Sequence, residues 1–195
     1  MVNKLDYETE QWRPVVGYEG LYEVSSLGRV RSMTRERLIG AHIYTGKPLR
    51  RVYKGRIKAL VNGTKGYKQV NLCKDGTSKV KRVHQMVWDA FCGDRKGMLI
   101  DHVNNNPSDN RVENLRLCTT RQNSYNRKSN KGSSSQYKGV SWNKKNRKWY
   151  SSIRYMGKLR YLGCFKKEAD AAMAYDQAAI KLFGNFCNPN ILTNG

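Results

Sequence analysis

The order of apolar and polar runs between residues 98 and 126 constrains the fold more than any other feature of the sequence. Met98–Val103 predicts a strand, and Leu115–Cys118 predicts a second short strand. Asn104–Asn110 lies between them and consists of Asn, Asp, Ser and Pro, which are typical of tight surface loops. Either of the two threonines after the second strand can cap a short helix. The order of strand, polar loop, strand and helix indicates a small α+β unit.

Four polar residues of this unit supply a carboxylate, an imidazole and two amides. Asp101 and His102 lie at the end of the first strand, Asn114 precedes the second strand, and Asn123 lies on the helix. Adjacent strand residues point to opposite faces, so Asp101 and His102 can serve one site only where the strand ends or twists. Carboxylate and amide oxygens suit Mg²⁺ or Mn²⁺, and an imidazole with a pKa of about 6.5 can accept a proton from water. Together these groups are the minimum set for metal-assisted hydrolysis of a phosphodiester.

The strongly basic composition indicates a polyanionic partner. Lys and Arg number 37 against 15 acidic residues, which gives a formal net charge of +22. This excess is far larger than solubility requires, and nucleic acid is the usual partner of such a chain. Aromatic and aliphatic residues are spread through the basic stretches, which argues against a disordered tail. Charge alone does not separate a nuclease from a repressor or a ribosomal protein.

Cysteine usage and hydropathy bear on the cellular compartment. The five cysteines are odd in number and form no CxxC pair, so neither a disulfide framework nor a zinc ribbon is expected. No apolar run approaches the roughly 20 residues needed to span a bilayer. The first residues lack the apolar segment of a signal peptide. We therefore expect a cytoplasmic protein with no membrane partner.

The first half of the chain predicts short strands and one helix. Residues 12–32 indicate short strands separated by glycine turns, whereas the basic and irregular residues 33–55 predict a loop. Tyr67–Cys73 and Lys79–His84 alternate between apolar and polar positions around an Asp-Gly turn, which predicts a β-hairpin. The segment that follows, VHQMVWDAF, has apolar residues at the spacing of a short amphipathic helix.

The last part of the chain predicts a separate small domain. Residues 127–135 are basic and rich in Ser and Gly, which predicts a linker. Strands are predicted at Tyr137–Trp142, Trp149–Tyr155 and Leu159–Phe165, and an alanine-rich helix follows from about residue 167 to 183. Small alanines allow this helix to pack closely against one face of the sheet.

The three predicted strands are strongly basic. Residues 136–165 hold eight basic side chains and no acidic one. Alternation along the middle strand places Lys148, Tyr150, Ser152 and Arg154 on one face, opposite the face that meets the helix. Such a sheet can lay its basic face in the major groove of duplex DNA.

The segment from VHQMVWDAF to IDHVNNNPSDNRVENLRLCTTRQNSYNR resembles the HNH endonuclease family, in the branch found in phage homing endonucleases. The resemblance covers about residues 83–127 and rests on the Asp-His pair, the Asn-rich loop, the ENLR sequence and a closing Asn. It implies a ββα-metal unit that holds one divalent ion, Mg²⁺ or Mn²⁺. His102 would then be the general base, and Asn114 would orient it. Asp101 and Asn123 would be metal ligands, although many relatives have a histidine where Asn123 stands.

A second resemblance concerns the amino-terminal segment WRPVVGYEGLYEVSSLGRVRS, which is similar to the NUMOD-type module of modular homing nucleases. This resemblance implies either DNA contact or support of the nuclease unit, and Arg29 and Arg31 are the candidate contacts. His84 belongs to a Val-His pair that recurs in the HNH family. It is a candidate phosphate contact, with packing at a strand end as the alternative.

The last domain resembles the APETALA2/ethylene-response-factor type of DNA-binding domain over about residues 135–188. The KGV and YLGCF sequences and the AAMAYDQAAIKLFG helix carry this resemblance. It implies that the sheet contacts the major groove. Ser141 and Asn143 fall where plant members often have arginine, so the target sequence should differ. The candidate DNA contacts by position are Lys138, Lys148, Arg154 and Tyr161, followed by Trp142, Lys144 and Arg160.

These observations give an α+β fold built from small modules. We expect an amino-terminal β-rich module with a basic loop, a central ββα-metal HNH unit, and a carboxy-terminal three-stranded antiparallel sheet packed on one helix. The expected boundaries are residues 1–66, 67–126, 127–135 for the linker, and 136–188.

The functional hypothesis is a metal-dependent, sequence-recognising HNH homing-type endonuclease that cuts double-stranded DNA. One site per chain favours a nick unless two chains cooperate. We expect a monomer on DNA, no small-molecule cofactor, and the cytosol or nucleoid of a host cell if a phage encodes the protein.

Two alternatives stay open at the level of sequence. A non-catalytic DNA-binding regulator would have a degenerate HNH unit, which the complete set of four polar residues disfavours. An RNA-binding protein is disfavoured because the basic sheet lacks the exposed aromatic pairs of an RNA-recognition sheet.

Overall fold

A computed structural model describes residues 10–126 and 132–191, which form two compact units that divide between Leu117 and Cys118. Mixed small sheets and three α-helices give the α+β class that the sequence predicts. In the described parts of the chain, every helix is too short or too polar to cross a membrane. The predicted linker over 127–135 falls partly on residues 127–131, which lie outside the described residues.

The amino-terminal strands of the first unit form a three-stranded antiparallel sheet with the order β1-β2-β3. The glycines between these strands adopt positive φ angles, as the predicted tight turns require. The valines of β2 and β3 are fully buried and pair across the sheet, Val24 with Val30. The strands are β1 (Trp12–Pro14), β2 (Tyr22–Ser25) and β3 (Val30–Ser32).

A β-hairpin occupies the region where the sequence predicts a loop. β4 (Arg35–Ala41) and β5 (Pro48–Tyr53) pair as an antiparallel ribbon that is exposed along almost its whole length. Neither strand has a buried face, and their sequences RERLIGA and PLRRVY show no regular alternation of apolar and polar residues, so no clear strand pattern is visible. The loop prediction over residues 33–55 was therefore wrong.

The predicted hairpin and helix in the middle of the first unit are present. β6 (Val61–Asn62), β7 (Lys68–Lys74) and β8 (Thr77–Arg82) form a sheet, and the turn residues Asp75 and Gly76 both have positive φ. The helix α1 (Val83–Phe91) follows β8 directly. Its buried residues join those of β2, β3 and β7 in the core of this unit: Val24, Val30, Val70, Leu72, Val83 and Val87.

Residues 98–126 have the predicted order of strand, loop, strand and helix. β9 (Leu99–His102) pairs with β10 (Leu115–Cys118), and the helix α2 (Thr120–Tyr125) follows. Thr119 caps α2 through a reciprocal capping box with Gln122. The division between the two units assigns α2 to the second unit.

The second unit is a three-stranded antiparallel sheet with one long helix. The strands β11 (Val140–Asn143), β12 (Lys148–Tyr155) and β13 (Lys158–Phe165) lie in that order, and α3 (Glu168–Phe183) packs on one face. Ile153 and Val140 are buried against the alanine-rich side of α3.

The domain begins earlier than predicted. Ser135, assigned to the linker, is buried and donates its Oγ hydrogen to the Glu168 carboxylate at 2.7 Å. The linker prediction is thus too long at its carboxyl end.

Candidate active site

Asp101 and His102 are the last two residues of β9, where the Asn-rich loop begins. The backbone N–H of Val103 donates to the Asn114 carbonyl, and that of Asn105 donates to the His102 carbonyl, both at 2.9 Å. The chain therefore turns directly after the Asp-His pair. Both side chains are buried, with exposed fractions of 6% for Asp101 and 5% for His102.

The His102 ring is held by an asparagine of the same loop. Its Nε2 lies 3.2 Å from Oδ1 of Asn110. The Asn110 amide nitrogen donates to the Ser108 carbonyl, which turns Oδ1 toward the ring. An oxygen acceptor at Nε2 selects the tautomer with the proton on Nε2, which leaves the lone pair on Nδ1.

Burial lowers the pKa of His102 below its ordinary value of 6.5. The hydrogen bond to Asn110 and the charges of Asp101 and Asp109 oppose this effect without reversing it. His102 is therefore neutral at neutral pH and able to accept a proton, as a general base must.

Asn114 does not orient His102 directly, which corrects the role expected for it. Its amide nitrogen donates to Oδ1 of Asn104 at 3.0 Å and to the Asp109 carbonyl at 2.8 Å. Its Oδ1 accepts the backbone N–H of Asn104 at 3.0 Å. Asn114 thus ties both ends of the loop that presents Asn110. No local feature distinguishes Asn110 from the several other asparagines of this loop.

Asp101 forms an ion pair that the sequence did not reveal. Both Nε and Nη2 of Arg116 donate to Oδ2 of Asp101, at 2.9 and 2.8 Å. Arg116 lies on β10, which is paired with β9, so the sheet brings the two residues together. This ion pair could have been predicted only from the pairing of the two strands, and the local sequence does not specify the register of that pairing.

His84 is buried beside His102 rather than on a surface. Its ring centroid lies 5.3 Å from that of His102 and 4.9 Å from that of Tyr67, and the side chain is only 4% exposed. His84 thus packs among other rings, as the alternative considered for it holds, and its contact with a phosphate stays a prediction. Burial, followed by the nearby charge of His102, lowers the pKa of His84 to about 3.

The amino-terminal sheet supports the loop that carries Asn110. The Ser26 carbonyl accepts the backbone N–H of Val112 at 2.9 Å. A Cβ placed on Gly28, in the turn between β2 and β3, would lie 2.7 Å from Cβ of Asn110 and 3.1 Å from its carbonyl oxygen. The turn therefore touches the backbone of the residue that holds His102.

The proposed metal ligands offer the right chemistry but lie in different units. Asp101 and Asn123 supply oxygen donors, and Mg²⁺ commonly completes such a partial protein set with water and phosphate oxygens. No group of three or more His, Cys, Asp and Glu side chains in the described chain is arranged to hold a metal ion. The donor set fits an ion that depends on phosphate for part of its coordination. The convergence of Asn123 on Asp101 stays a prediction.

Comparison with known protein families gives two matches along the chain. Residues 10–73 match the NUMOD4 motif, and residues 81–125 match the HNH endonuclease family. The second match contains Asp101, His102, Asn114 and Asn123. This chain belongs to the HNH endonuclease family.

Phage proteins are among the relatives of this HNH endonuclease. Protein 3.8 of Escherichia phage T7 is 40% identical over 81 residues, which cover 41% of this chain and 67% of that protein. DNA endonuclease I-HmuI of Bacillus phage SP01 is 34% identical over 114 residues, covering 58% of this chain and 55% of that protein. The chain thus spans between about half and two thirds of these relatives. Enzymes of this family generally use a divalent metal ion.

Two further similarities are partial. A solved structure titled "DNA binding and cleavage by the HNH homing endonuclease I-HmuI" has a TM-score of 0.45 at 30% identity and covers 60% of this chain and 56% of that chain. APETALA2-like protein 2 of Oryza sativa is 49% identical over 51 residues, which are 26% of this chain but 12% of that protein.

The sheet of the second unit gives this HNH endonuclease an outer basic face. Cross-strand pairing places Ser152 opposite Tyr161, and Arg154 opposite Leu159. Directly opposed side chains lie on the same face, so Tyr161 joins Lys148 and Arg154 on the side away from α3. All three are exposed, and Lys144 is exposed in the turn after β11. Their contact with DNA stays a prediction.

Three of the predicted DNA contacts lie elsewhere. The Lys138 ammonium donates to the carbonyls of Tyr125 and Asn188, at 2.9 and 3.0 Å, and so supports the domain interior. Trp142 packs edge-on against its strand partner Trp149 on the helix side of the sheet. Arg160 pairs with the buried Ile153 and lies on that side too. These three residues therefore lie away from the outer face, and their predicted contact with DNA stays a prediction.

Arg29 and Arg31 flank an aromatic ring at the amino-terminal sheet. Arg31 pairs with Glu23 at 2.7 Å and lies 4.3 Å from the Trp12 ring centroid, and Arg29 pairs with Glu10. Each guanidinium is thus partly neutralised by a neighbouring acid. Their contact with DNA stays a prediction.

Proposed function

We propose that this HNH endonuclease hydrolyses a phosphodiester of double-stranded DNA with His102 as the general base. One observation carries the proposal: a neutral, buried histidine is fixed by Asn110 next to a buried carboxylate, at the end of β9. Its lone pair can accept the proton of the attacking water. Asn114 then acts on His102 through the loop and not by direct contact.

The proposal includes one Mg²⁺ or Mn²⁺ held by Asp101 and Asn123. When bound, such an ion neutralises charge on the phosphate and on the leaving oxygen. Asp101 would bring its buried carboxylate to the site, and Arg116 would fix that carboxylate through Oδ2. Asn123 would bring its amide oxygen from α2.

The remaining modules would hold the duplex. The exposed residues Lys148, Arg154 and Tyr161 form a surface suited to the major groove. The amino-terminal sheet would support the nuclease unit, in keeping with the contact between Gly28 and Asn110. The resemblance of the carboxy-terminal domain to APETALA2 proteins, action as a monomer, and nicking of one strand are parts of this proposal.

The decisive experiment compares plasmid cutting by the wild type and by His102→Ala with Mg²⁺ and with Mn²⁺. Loss of a general base should slow cutting by about 10²- to 10⁴-fold, while duplex binding stays close to wild type. His42→Ala is the matched control, because His42 is exposed next to the β4–β5 ribbon. Equal cutting by the His102→Ala and wild-type proteins would remove His102 from the mechanism. Asp101→Ala and Asn123→Ala should each raise the metal concentration needed for half-maximal cutting.

A non-catalytic DNA-binding regulator is the second candidate. The observation that favours it is the Asp101–Arg116 ion pair, which satisfies the carboxylate without an ion. Duplex binding without cutting under either metal would support this candidate.

A further inference from the structure

The second unit contains a basic cleft whose lining residues, apart from Arg154, have no part in the function proposed above. The cleft has a volume of about 500 Å³ and lies between α2 and the turn that joins β12 to β13. Its lining includes Arg121, Ser124, Lys138 and Arg154, together with Tyr175 and Phe183. None of the described residues that line it is acidic.

The two exposed cations of the cleft, Arg121 and Arg154, are not neutralised by neighbouring acids. Within the described chain, neither Arg121 nor Arg154 forms an ion pair, and both are exposed. The buried acid of this unit, Asp176, accepts the backbone N–H groups of Asn190 and Ile191, both at 2.7 Å. Two such cations beside one concavity attract an anion.

The wall formed by α2 is fixed to the rest of the unit. The Tyr125 ring stacks on Phe183 with centroids 3.9 Å apart and planes 8° from parallel. The Lys138 ammonium donates to the Tyr125 carbonyl at the carboxyl end of α2. The position of α2, and with it the shape of the cleft, is therefore held by specific contacts within the unit.

Helical geometry separates the two faces of α2. Arg121, Ser124 and Tyr125 are spaced three and four residues apart, so they share the face that lines the cleft. Asn123 lies on another face. An anion bound in the cleft would therefore contact α2 without occupying Asn123, whose side chain would stay available for the metal ion proposed above.

We propose that this cleft binds a backbone phosphodiester of the DNA duplex, with Arg121 and Arg154 as the contacts. The proposal rests on the proposed function, because it takes duplex DNA as the partner. It adds a phosphate contact that links the sheet of the second unit to the helix that carries Asn123. Since the contact reads no base, it contributes to affinity and register and not to sequence preference.

The test measures affinity for a random-sequence duplex as a function of salt, without divalent metal. Arg121→Gln should weaken binding and reduce the slope of log affinity against log salt by about one, as expected for one lost phosphate contact. Lys181→Gln removes one charge from the exposed side of α3 and is the matched control. An equal loss in Arg121→Gln and Lys181→Gln would show a general charge effect and overturn the proposal.

A second variant adds charge instead of removing it. Ser124→Glu places a carboxylate on the cleft wall and should weaken binding at low salt, with the difference shrinking at high salt. Met173→Glu adds the same charge on α3, where Met173 is partly exposed, and should have the smaller effect. Wild-type affinity and slope in both Arg121→Gln and Ser124→Glu would overturn the cleft assignment. A wild-type protein that binds no duplex would instead contradict the proposed function.

Discussion

Two buried histidine rings in contact disfavour positive charge on either ring. His84 and His102 have ring centroids 5.3 Å apart, and burial lowers the pKa of both. In the unfolded chain each histidine would titrate near 6.5. Protons are therefore bound first by the unfolded state as the pH falls, so the folded protein loses stability in acid.

At the residue scale, we expect the free energy of unfolding to be highest above pH about 6.5. For His84 alone it should fall by about 1.4 kcal/mol for each pH unit below that value, until the folded pKa of about 3 is reached. Urea unfolding at a series of pH values measures this slope. His84→Phe keeps a ring but removes the titration, so its slope should be shallower. His42→Ala, at an exposed position, should keep the wild-type slope. A wild-type slope in His84→Phe would show that His84 does not cause the acid sensitivity.

At the scale of elements, the turn between β2 and β3 contacts the loop that holds the proposed general base. Gly28 has a φ of 80° and lies so close to the Asn110 backbone that a Cβ cannot be added without movement. Gly20 has a φ of 70° but has open space around the added Cβ. The two glycines therefore share a backbone conformation and differ in their contact with the site.

Gly28→Ala and Gly20→Ala should separate these two effects. Each substitution should cost about 1–2 kcal/mol of stability, because alanine is strained at positive φ. Only Gly28→Ala should also slow DNA cutting, since it displaces Asn110 and with it the His102 ring. The test compares the DNA cutting rates of the two variants under conditions in which urea titration shows that both are folded. The idea fails if the two variants cut DNA equally fast.

At the scale of the whole molecule, the net charge of +22 governs the encounter with DNA. Exposed basic residues occur in both units, on the β4–β5 ribbon and on the outer face of the carboxy-terminal sheet. Binding to a duplex through many such residues releases condensed counterions.

Affinity for duplex DNA should therefore fall steeply with salt. With six to ten phosphate contacts, the affinity should drop by roughly 10³- to 10⁵-fold between about 50 and 200 mM salt. Fluorescence anisotropy with a labelled duplex, without divalent metal so that no cutting occurs, measures the slope. A nearly flat dependence would contradict a partner bound mainly through its phosphates.

The candidate site was only partly predictable. Asp101 and His102 were identifiable, because their position at a strand end next to an Asn-rich loop is a local property of the sequence. Asn110 and Arg116 were not, because each reaches the site through a fold-dependent contact with a residue eight or fifteen positions away. The same holds for Lys138: its charge is visible in the sequence, but the carbonyls of Tyr125 and Asn188 that bind it are not.

The sequence by itself determined the α+β class, most of the elements and the family, because turn residues, alternation and motif spacing act over a few neighbouring positions. The β4–β5 ribbon escaped this reasoning, since both of its faces are exposed and leave no hydrophobic pattern. Tertiary structure alone decided which asparagine holds His102, which guanidinium pairs with Asp101, and which arginines face a shared cleft. Those outcomes depend on strand register and on packing between distant segments, which no local pattern of residues encodes.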